Sequence, residues 1–302
     1  MLLRTTMTGL ALTAGLALSV VPAGLATAVS ADGDRATSTV ARHDAATTKS
    51  EQQRIVDYWT PARMKSAIPV GMKRDEVQKG KPTTGGAAVP EAPQPRHGKV
   101  FFSMGGSNWV CSGTATNSSN GDVVTTAGHC VNEGPGAFAT NFAFVPAYNN
   151  GAAPFGTWTA QTLLTTTQWS SAGDFDYDAG FAVLNENAAG QSLTQAVGGY
   201  PITFNQPRGL SYQAFGYPAA QKFNGQTLWS CSGTVVQDTF GGSTDQGLAC
   251  NMTGGSSGGG WITGTSLNSV TSFGYTGVKN VLWGPYFGSV IQSTFNAAQS
   301  TP

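Results

Sequence analysis

The chain has 302 residues, of which 11% are charged, 40% are hydrophobic and 40 are glycines. This composition excludes a coiled coil, which needs many more charged residues, and a disordered protein, which has fewer apolar ones. The formal net charge is zero, which argues against general nucleic-acid binding through phosphate contacts.

The distribution of charge divides the chain near residue 100. Residues 1–99 contain 13 Lys and Arg against 8 Asp and Glu, whereas residues 100–302 contain 3 against 8. The second part is also rich in glycine, threonine, serine and aromatic residues, a composition typical of β-rich proteins. We therefore expect two segments of different character.

The first 28 residues have the pattern of a secretory signal peptide. Arg4 supplies the positive charge, residues 9–21 are mostly apolar, and Ala26-Thr27-Ala28 forms a cleavage motif of small residues. A membrane anchor is the alternative, but the apolar run is shorter than the roughly 20 residues that a span needs. The pattern predicts a secreted, extracellular protein that loses residues 1–28.

Residues 29–97 are polar, mixed in charge and interrupted by proline and glycine. Residues 51–67 could form a short helix, and the stretch KGKPTTGGAAVPEAPQPRHG reads as a linker. We predict that residues 29–97 are a propeptide and linker outside the core fold, removed by a second cut between about residues 80 and 99. A disordered arm without a role is the alternative.

Residues 98–302 contain many short β-type runs separated by turn signals such as NGD and NNG. A helical pattern is confined to VIQSTFNAAQ near the end of the chain. The spacing predicts an all-β fold, either one sandwich or two small barrels, with a short C-terminal helix.

The four cysteines form two pairs with equal spacing. Cys111 and Cys130 are 19 residues apart, and so are Cys231 and Cys250. No C-x-x-C occurs and the chain has only three histidines, so a zinc site has little support and no metal is expected. Four cysteines allow three pairings, and we expect the two local disulfides.

Three short motifs carry residues suited to nucleophilic catalysis. His129 lies in TTAGHC and is the one histidine of residues 98–302. Ser257 lies in TGGSSGGGW, where glycines let backbone N–H groups approach a ligand. Asp178 lies in DFDYDAGFAVL, directly before an apolar strand that would bury it beside an imidazole.

The order of the three motifs distinguishes between hydrolase types. The run Gly255-Ser256-Ser257-Gly258-Gly259 also fits the nucleophile elbow of α/β-hydrolases, but those enzymes place the histidine after the serine. No histidine follows Ser257, which excludes that reading. The order His129, Asp178, Ser257 is that of chymotrypsin-like proteases.

The set CSGT…VVTTAGHC, YDAGFAVL and GGSSGGGW resembles secreted bacterial trypsin-like serine peptidases of the chymotrypsin clan, near the glutamyl-endopeptidase branch. The resemblance covers about residues 98–290. It implies two antiparallel six-stranded β-barrels with the site between them, and a Cys111–Cys130 disulfide beside the histidine. Ser256 departs from the family, since many relatives carry Asp or Asn there.

The resemblance also implies a role for each residue. Ser257 would attack the scissile carbonyl, His129 would transfer the proton, and Asp178 would orient the imidazole. The backbone N–H groups of Gly255 and Ser257 would form the oxyanion hole. The pocket for the residue before the scissile bond would be walled by Asn251, Thr253, Ser272, Phe273 and Gly274.

Two features of the sequence predict an uncharged pocket. No Asp or Glu follows Asp245, so a pocket for Lys or Arg lacks a carboxylate, and the only cation after Ser257 is Lys279 in a glycine-flanked loop. We expect an apolar or small residue before the scissile bond, with glutamate preference as the alternative.

The predicted activity is therefore a secreted serine endopeptidase that acts on polypeptides through an acyl-enzyme. We expect no cofactor, no nucleic-acid partner, no membrane attachment of the mature form, and a monomer. The alternatives are a non-catalytic β-domain that binds protein or cell wall, and an esterase with the same site.

Overall fold

The structure is a computed structural model that describes residues 39–75 and 86–302, so the predicted signal peptide lies outside the described residues. Within the described ranges, no helix is long and apolar enough to cross a membrane. Most of the regular structure is β-strand. The strands are β1 Val40–Asp44, β2 Ile68–Pro69, β3 Met72–Arg74, β4 Val89–Pro90, β5 His97–Met104, β6 Ser107–Thr116, β7 Val123–Thr126, β8 Thr140–Pro146, β9 Trp158–Thr166, β10 Gly180–Leu184, β11 Ser211–Gly216, β12 Trp229–Thr234, β13 Val236–Gln237, β14 Gln246–Ala249, β15 Gly260–Thr263, β16 Ser266–Val270, β17 Phe273–Tyr275 and β18 Val281–Gly284.

Five short α-helices accompany the strands. They are α1 Lys49–Tyr58, α2 Pro61–Ser66, α3 Thr167–Ala172, α4 Leu193–Val197 and α5 Ser289–Gln299. Helix α5 confirms the helix predicted at the C-terminal end, and its buried face, which includes Ile291 and Phe295, packs into the main core. Of two 3-10 turns, Gly128–Cys130 contains His129 and Phe175–Tyr177 directly precedes Asp178.

The first half of the fold is a closed barrel of six antiparallel strands. Strands β9, β10, β7, β6, β5 and β8 follow one another, and pairing of β8 with β9 closes the ring. The barrel interior holds valine, leucine and phenylalanine side chains, because every second residue of each strand points inward. The second half consists of two five-stranded sheets, in the orders β16-β15-β11-β12-β4 and β13-β14-β18-β17-β3. The expected all-β, chymotrypsin-like fold is thereby confirmed.

The segment 39–75 packs on both halves of the fold, although the sequence predicts that it lies outside the core. Strand β1 pairs with β9 along its whole length. Trp59 is 3% exposed, and its indole N–H donates to the carbonyl of Asn141 at 2.6 Å. The predicted helix is present as α1 and α2, which are separated before Pro61 because proline suits the first turn of a new helix. Helix α1 and the turn after it bury few side chains. The hydrophobic pattern of this segment is therefore too weak to predict its packing from the sequence.

Both disulfides have the predicted local pairing. Cys111 bonds to Cys130, and Cys231 bonds to Cys250. In the part of the chain that the structure describes, Cys111, His129 and Cys130 are the one group whose ligand atoms lie close enough for a metal, within 4.8 Å. Sulfurs in a disulfide are not the thiolates that hold zinc. This group therefore fits a disulfide beside a histidine and does not fit a metal centre.

His97 is expected to make the stability of the protein depend on pH. Its side chain is 1% exposed, stacks on Phe215 and bonds to Thr114 through Nδ1, and burial lowers the pKa of its imidazole from 6.5 to about 3. The unfolded chain thus binds a proton below pH 6.5 that the folded chain does not, and the free energy of unfolding should fall by about 1.4 kcal/mol per pH unit on acidification toward pH 3. Chemical denaturation at several pH values should show this slope, reduced in His97→Gln. Equal slopes in the two proteins would contradict the assignment.

Candidate active site

His129 is held rigidly at the end of a barrel strand. Strand β7 ends at Thr126, and the 3-10 turn that follows carries His129, whose side chain is 3% exposed. Nδ1 lies 2.7 Å from Oδ2 of Asp178, and the backbone N–H donates to Oδ1 at 2.8 Å. The neighbouring Cys130 is tied to Cys111. The imidazole is thus fixed through its ring, its backbone and a disulfide.

Asp178 is fully buried and accepts three hydrogen bonds. Two come from His129, and the third comes from the hydroxyl of Ser272. A β-carbon on Gly128 would lie 2.8 Å from Oδ1, so glycine is needed where the chain passes this carboxylate. Oδ2 faces Nδ1, as a carboxylate that orients a histidine requires.

The other two aspartates of this motif have structural contacts. Asp174 caps the turn Phe175–Tyr177, and Asp176 accepts from the hydroxyl of Ser243 and the N–H of Thr244, both at 2.9 Å. Both lie at the 3-10 turn Phe175–Tyr177, which separates their side chains from that of Asp178 in role. Asp178 is therefore the aspartate of the motif that hydrogen-bonds His129.

Ser257 lies in a tight loop between the two halves of the fold. Its carbonyl accepts from the N–H of Ser112 at 2.7 Å, and the hydroxyl of Ser112 donates to the carbonyl of Gly255 at 2.9 Å. Gly258 has φ +77°, and a β-carbon there would lie 2.0 Å from the Thr126 hydroxyl. The glycines of TGGSSGGGW therefore bring Ser257 against β6 and β7, close to the strand that leads to His129.

A carbonyl of the N-terminal segment binds one of the two N–H groups predicted to form the oxyanion hole. The N–H of Gly255 donates to the carbonyl of Val70 at 2.6 Å, and the hydroxyl of Ser257 donates to the same oxygen at 3.3 Å. Among the described residues, Nε2 of His129 has no hydrogen-bond partner. The serine hydroxyl is thus directed at Val70 in this structure.

Backbone pairing holds the segment on either side of Val70. Upstream, β2 runs parallel to β6, and the N–H of Val70 donates to the carbonyl of Val110 at 3.1 Å. Downstream, β3 runs parallel to β17. No motif marks residues 68–74, so these contacts cannot be predicted from the sequence. The same holds for the contact of Ser112 with the serine loop.

The predicted pocket residues line one cavity next to Ser257. Its volume is about 590 Å³, and its lining includes the five expected residues, Asn251, Thr253, Ser272, Phe273 and Gly274. Lys279 also lines the cavity but is exposed, and Met72 and Lys73 of β3 line it as well. Besides lining the cavity, Ser272 is a hydrogen-bond donor to Asp178.

Comparisons with known proteins agree with this geometry. No family model matches the chain. The solved structure of the protease Anisep from Arthrobacter nicotinovorans is 53% identical, with a TM-score of 0.69, over 71% of this chain and 100% of that one. The thermostable serine protease AL20 from an extremophilic microorganism is 49% identical, with a TM-score of 0.67, over 70% and 100%. A Glu endopeptidase shares the fold at 19% identity and a TM-score of 0.58, over 72% and 98%.

One curated relative adds a match in sequence. A protein named extracellular metalloprotease, from Bacillus subtilis (strain 168), is 30% identical over 125 residues, which are 41% of this chain and 37% of that protein. The chain thus matches little more than a third of this relative's length. Identity of 53% and 49% over the full length of these two protease structures shows that the chain belongs to the trypsin-like serine peptidases of the chymotrypsin clan, hydrolases that act on peptide bonds.

Proposed function

We propose that the chain is the precursor of a secreted serine endopeptidase that cleaves polypeptides through an acyl-enzyme on Ser257. The observation that carries the proposal is the 2.7 Å contact of His129 with the buried Asp178, in the cleft that also holds the Ser257 loop. In the mature enzyme Ser257 attacks the carbonyl while His129 takes its proton and later delivers it to the leaving amine. Asp178 keeps the imidazole in the required tautomer.

The oxyanion would be stabilised by the backbone. The N–H groups of Gly255 and Ser257 supply the two donors, and the Gly255 N–H already binds a carbonyl oxygen, that of Val70. The positive φ of Gly255, +94°, supports its place in the turn that presents these groups. Donors fixed by the loop need little rearrangement when charge develops on the substrate oxygen.

An acyl-enzyme experiment separates this mechanism from metal-assisted hydrolysis, which the name of the Bacillus subtilis relative raises. We expect intact-mass analysis of the mature protein with an activated ester to show one added acyl group, and peptide mapping to place it on Ser257. Peptide hydrolysis should persist in the presence of a chelator. Loss of activity to the chelator without an acyl adduct would overturn the proposal.

We further propose that residues 1–28 are a signal peptide and that the segment after it is an inhibitory propeptide. The propeptide is supported by the Val70 carbonyl bound to Gly255 and Ser257. Val89 and Pro90 pair with β12, and His97 begins β5, so residues from Val89 onward belong to the sheets of the enzyme. We therefore expect the second cut at the start of the predicted interval, between residues 80 and 88.

Latency of the precursor is the expected consequence. If Val70 occupies the site in 99% of molecules, a serine-directed inhibitor should react with the intact chain about 100-fold more slowly than with the processed enzyme. The rate constants can be compared before and after cleavage at a protease site inserted within residues 76–85, followed by separation of the fragment. Equal rates, or an active secreted enzyme whose N-terminus is still near residue 29, would contradict this account.

The cavity supports a preference for an uncharged residue before the scissile bond. Asn251, Thr253 and Ser272 give its wall polar but neutral groups, and the cation that lines it after Ser257, Lys279, is exposed. We expect peptides with Leu or Phe at this position to have higher kcat/KM than those with Glu or Arg. A preference for Glu or Arg above about tenfold, near 1.4 kcal/mol of transition-state binding, would show that the prediction is wrong.

A further inference from the structure

Residues 68–74 of the N-terminal segment cross the catalytic cleft from one wall to the other. Strand β2 lies on the first wall and runs parallel to β6. Strand β3 lies on the second wall and runs parallel to β17. Between the two strands, the carbonyl of Val70 accepts hydrogen bonds from the N–H of Gly255 and the hydroxyl of Ser257. The direction of this crossing can therefore be compared with the direction that catalysis requires of a substrate.

Hydrogen bonds of the loop that carries Ser257 fix which end of β17 lies at the serine. The N–H of Gly258 donates to the carbonyl of Thr271 at 2.7 Å, and the N–H of Thr271 donates to the carbonyl of Gly259 at 2.9 Å. Thr271 is two residues before Phe273, the first residue of β17. Because a strand is extended, β17 begins beside the serine loop and leads away from it.

The cavity next to Ser257 shows which wall takes the part of a substrate before the scissile bond. Among the described residues, its lining includes Ser272, Phe273 and Gly274 but no residue of β6. A substrate whose side chain fills this cavity has its earlier residues along β17. It must then run toward Ser257, antiparallel to that strand. This assignment rests on the proposed peptidase function.

The part of a substrate after the scissile bond must pass His129. The nitrogen of that bond is the leaving group, and the imidazole delivers a proton to it. Cys130, next to His129, is joined by a disulfide to Cys111 of β6, which places this wall beside the imidazole. A substrate thus enters along β17 and leaves along β6.

The N-terminal segment runs the opposite way. It reaches the serine along β6 and leaves along β17, as the two parallel pairings show. Gly71 follows the bound carbonyl and lines the cavity, and a β-carbon on it would lie 3.3 Å from Cα of Gly254. The peptide bond that begins at the Val70 carbonyl therefore leads to the cavity wall. Nε2 of His129 has no hydrogen-bond partner among the described residues.

We propose that residues 68–74 bind the catalytic cleft in the direction opposite to a substrate, which makes this part of the propeptide an inhibitor that the enzyme does not cleave. The reversed segment keeps the contact with the Gly255 N–H and the backbone pairing on both walls. An acyl-enzyme does not form from the Val70 carbonyl, because the nitrogen of Gly71 would have to leave without a proton from His129.

The first test follows the bond between Val70 and Gly71 in the cut precursor. The full-length protein is cleaved at a protease site inserted within residues 76–85, and the fragment is left in place. We expect mass spectrometry to show this bond intact over a period in which enzyme freed of the fragment hydrolyses an excess of substrate peptide. Cleavage at this bond would overturn the proposal.

The second test reads the direction of the segment by disulfide trapping in the full-length precursor. Lys73→Cys is combined with Gly274→Cys, because the two residues pair across the strands and a β-carbon on Gly274 would lie 3.0 Å from Nζ of Lys73. In the matched control, Ile68→Cys is combined with Gly274→Cys. Ile68 pairs with Trp109 on the other wall and would reach β17 only in the substrate direction. Cysteines form a disulfide only where their Cα atoms lie within about 7 Å of each other.

We expect mild oxidation to give the disulfide in the first pair and two free thiols in the control pair, as identified by intact mass and peptide mapping. A disulfide in the control pair, with free thiols in the first, would overturn the reversed direction. The trapping needs no catalysis, so its result is independent of the proposed function. Failure of the fragment-free enzyme to cleave any peptide would count against that function instead.

Discussion

Replacing Ser257 with alanine should lower kcat for peptide hydrolysis by about 10⁶-fold, because the variant lacks the nucleophile and can no longer form an acyl-enzyme. Ser256→Ala is the matched control. Ser256 precedes the nucleophile, and its hydroxyl donates to the carbonyl of Thr253 at 2.7 Å, within the loop. We expect this control to keep most of the activity. The measurement is kcat on one peptide with all three processed proteins.

One result of comparing Ser257→Ala with Ser256→Ala would contradict the assignment of the nucleophile. If Ser257→Ala retains activity while Ser256→Ala loses it, the neighbouring serine is the nucleophile and the assignment is wrong. Folding can be compared by the thermal midpoints of the variants, since the hydrogen bond that the structure shows for the Ser257 hydroxyl goes to Val70 of the propeptide segment. Similar midpoints would show that the loss of activity comes from the missing nucleophile and not from misfolding.

Asp178→Asn should reduce kcat by about 10⁴-fold with the fold retained. Asparagine can keep the shape of the buried side chain, but it presents an N–H where His129 Nδ1 needs an acceptor, so the imidazole takes the wrong tautomer. The hydroxyl of Ser272 and the backbone N–H of His129 also lose a charged acceptor.

Asp176→Asn is the control for this effect. Asp176 is in the same motif but holds Ser243 and Thr244, so its replacement should affect the stability of that loop far more than kcat. The kinetic constants of both variants, measured on one peptide, decide the question. A 10⁴-fold loss in Asp176→Asn with normal turnover in Asp178→Asn would reverse the assignment.

The parts of the site that the sequence predicted are local. In TTAGHC and TGGSSGGGW the functional residue is within a few positions of the glycines and the cysteine that shape its loop. The motif alone therefore predicts most of the local backbone geometry. Asp178 was predicted from the apolar strand that follows it. That strand is the buried β10, and Asp178 immediately before it is the residue on His129.

The contacts of the N-terminal segment could not be predicted from the sequence. Val70 binds the serine loop through its backbone carbonyl, which any residue possesses, so no side-chain pattern marks it. Arg74 and Asp245 are 171 positions apart in the numbering and meet only because β3 pairs with β17. The two disulfides were predictable because each joins cysteines that are close in sequence.

Covalent labelling of the processed protein by a fluorophosphonate tests the central claim most directly. Such a reagent reacts with a serine only where a base and an oxyanion hole activate it, and no substrate preference needs to be known. We predict one label per molecule on the peptide that contains Ser257, and no label on Ser257→Ala under the same conditions. Absence of labelling in the processed protein, or equal labelling of Ser257→Ala, would contradict a serine peptidase site at His129, Asp178 and Ser257.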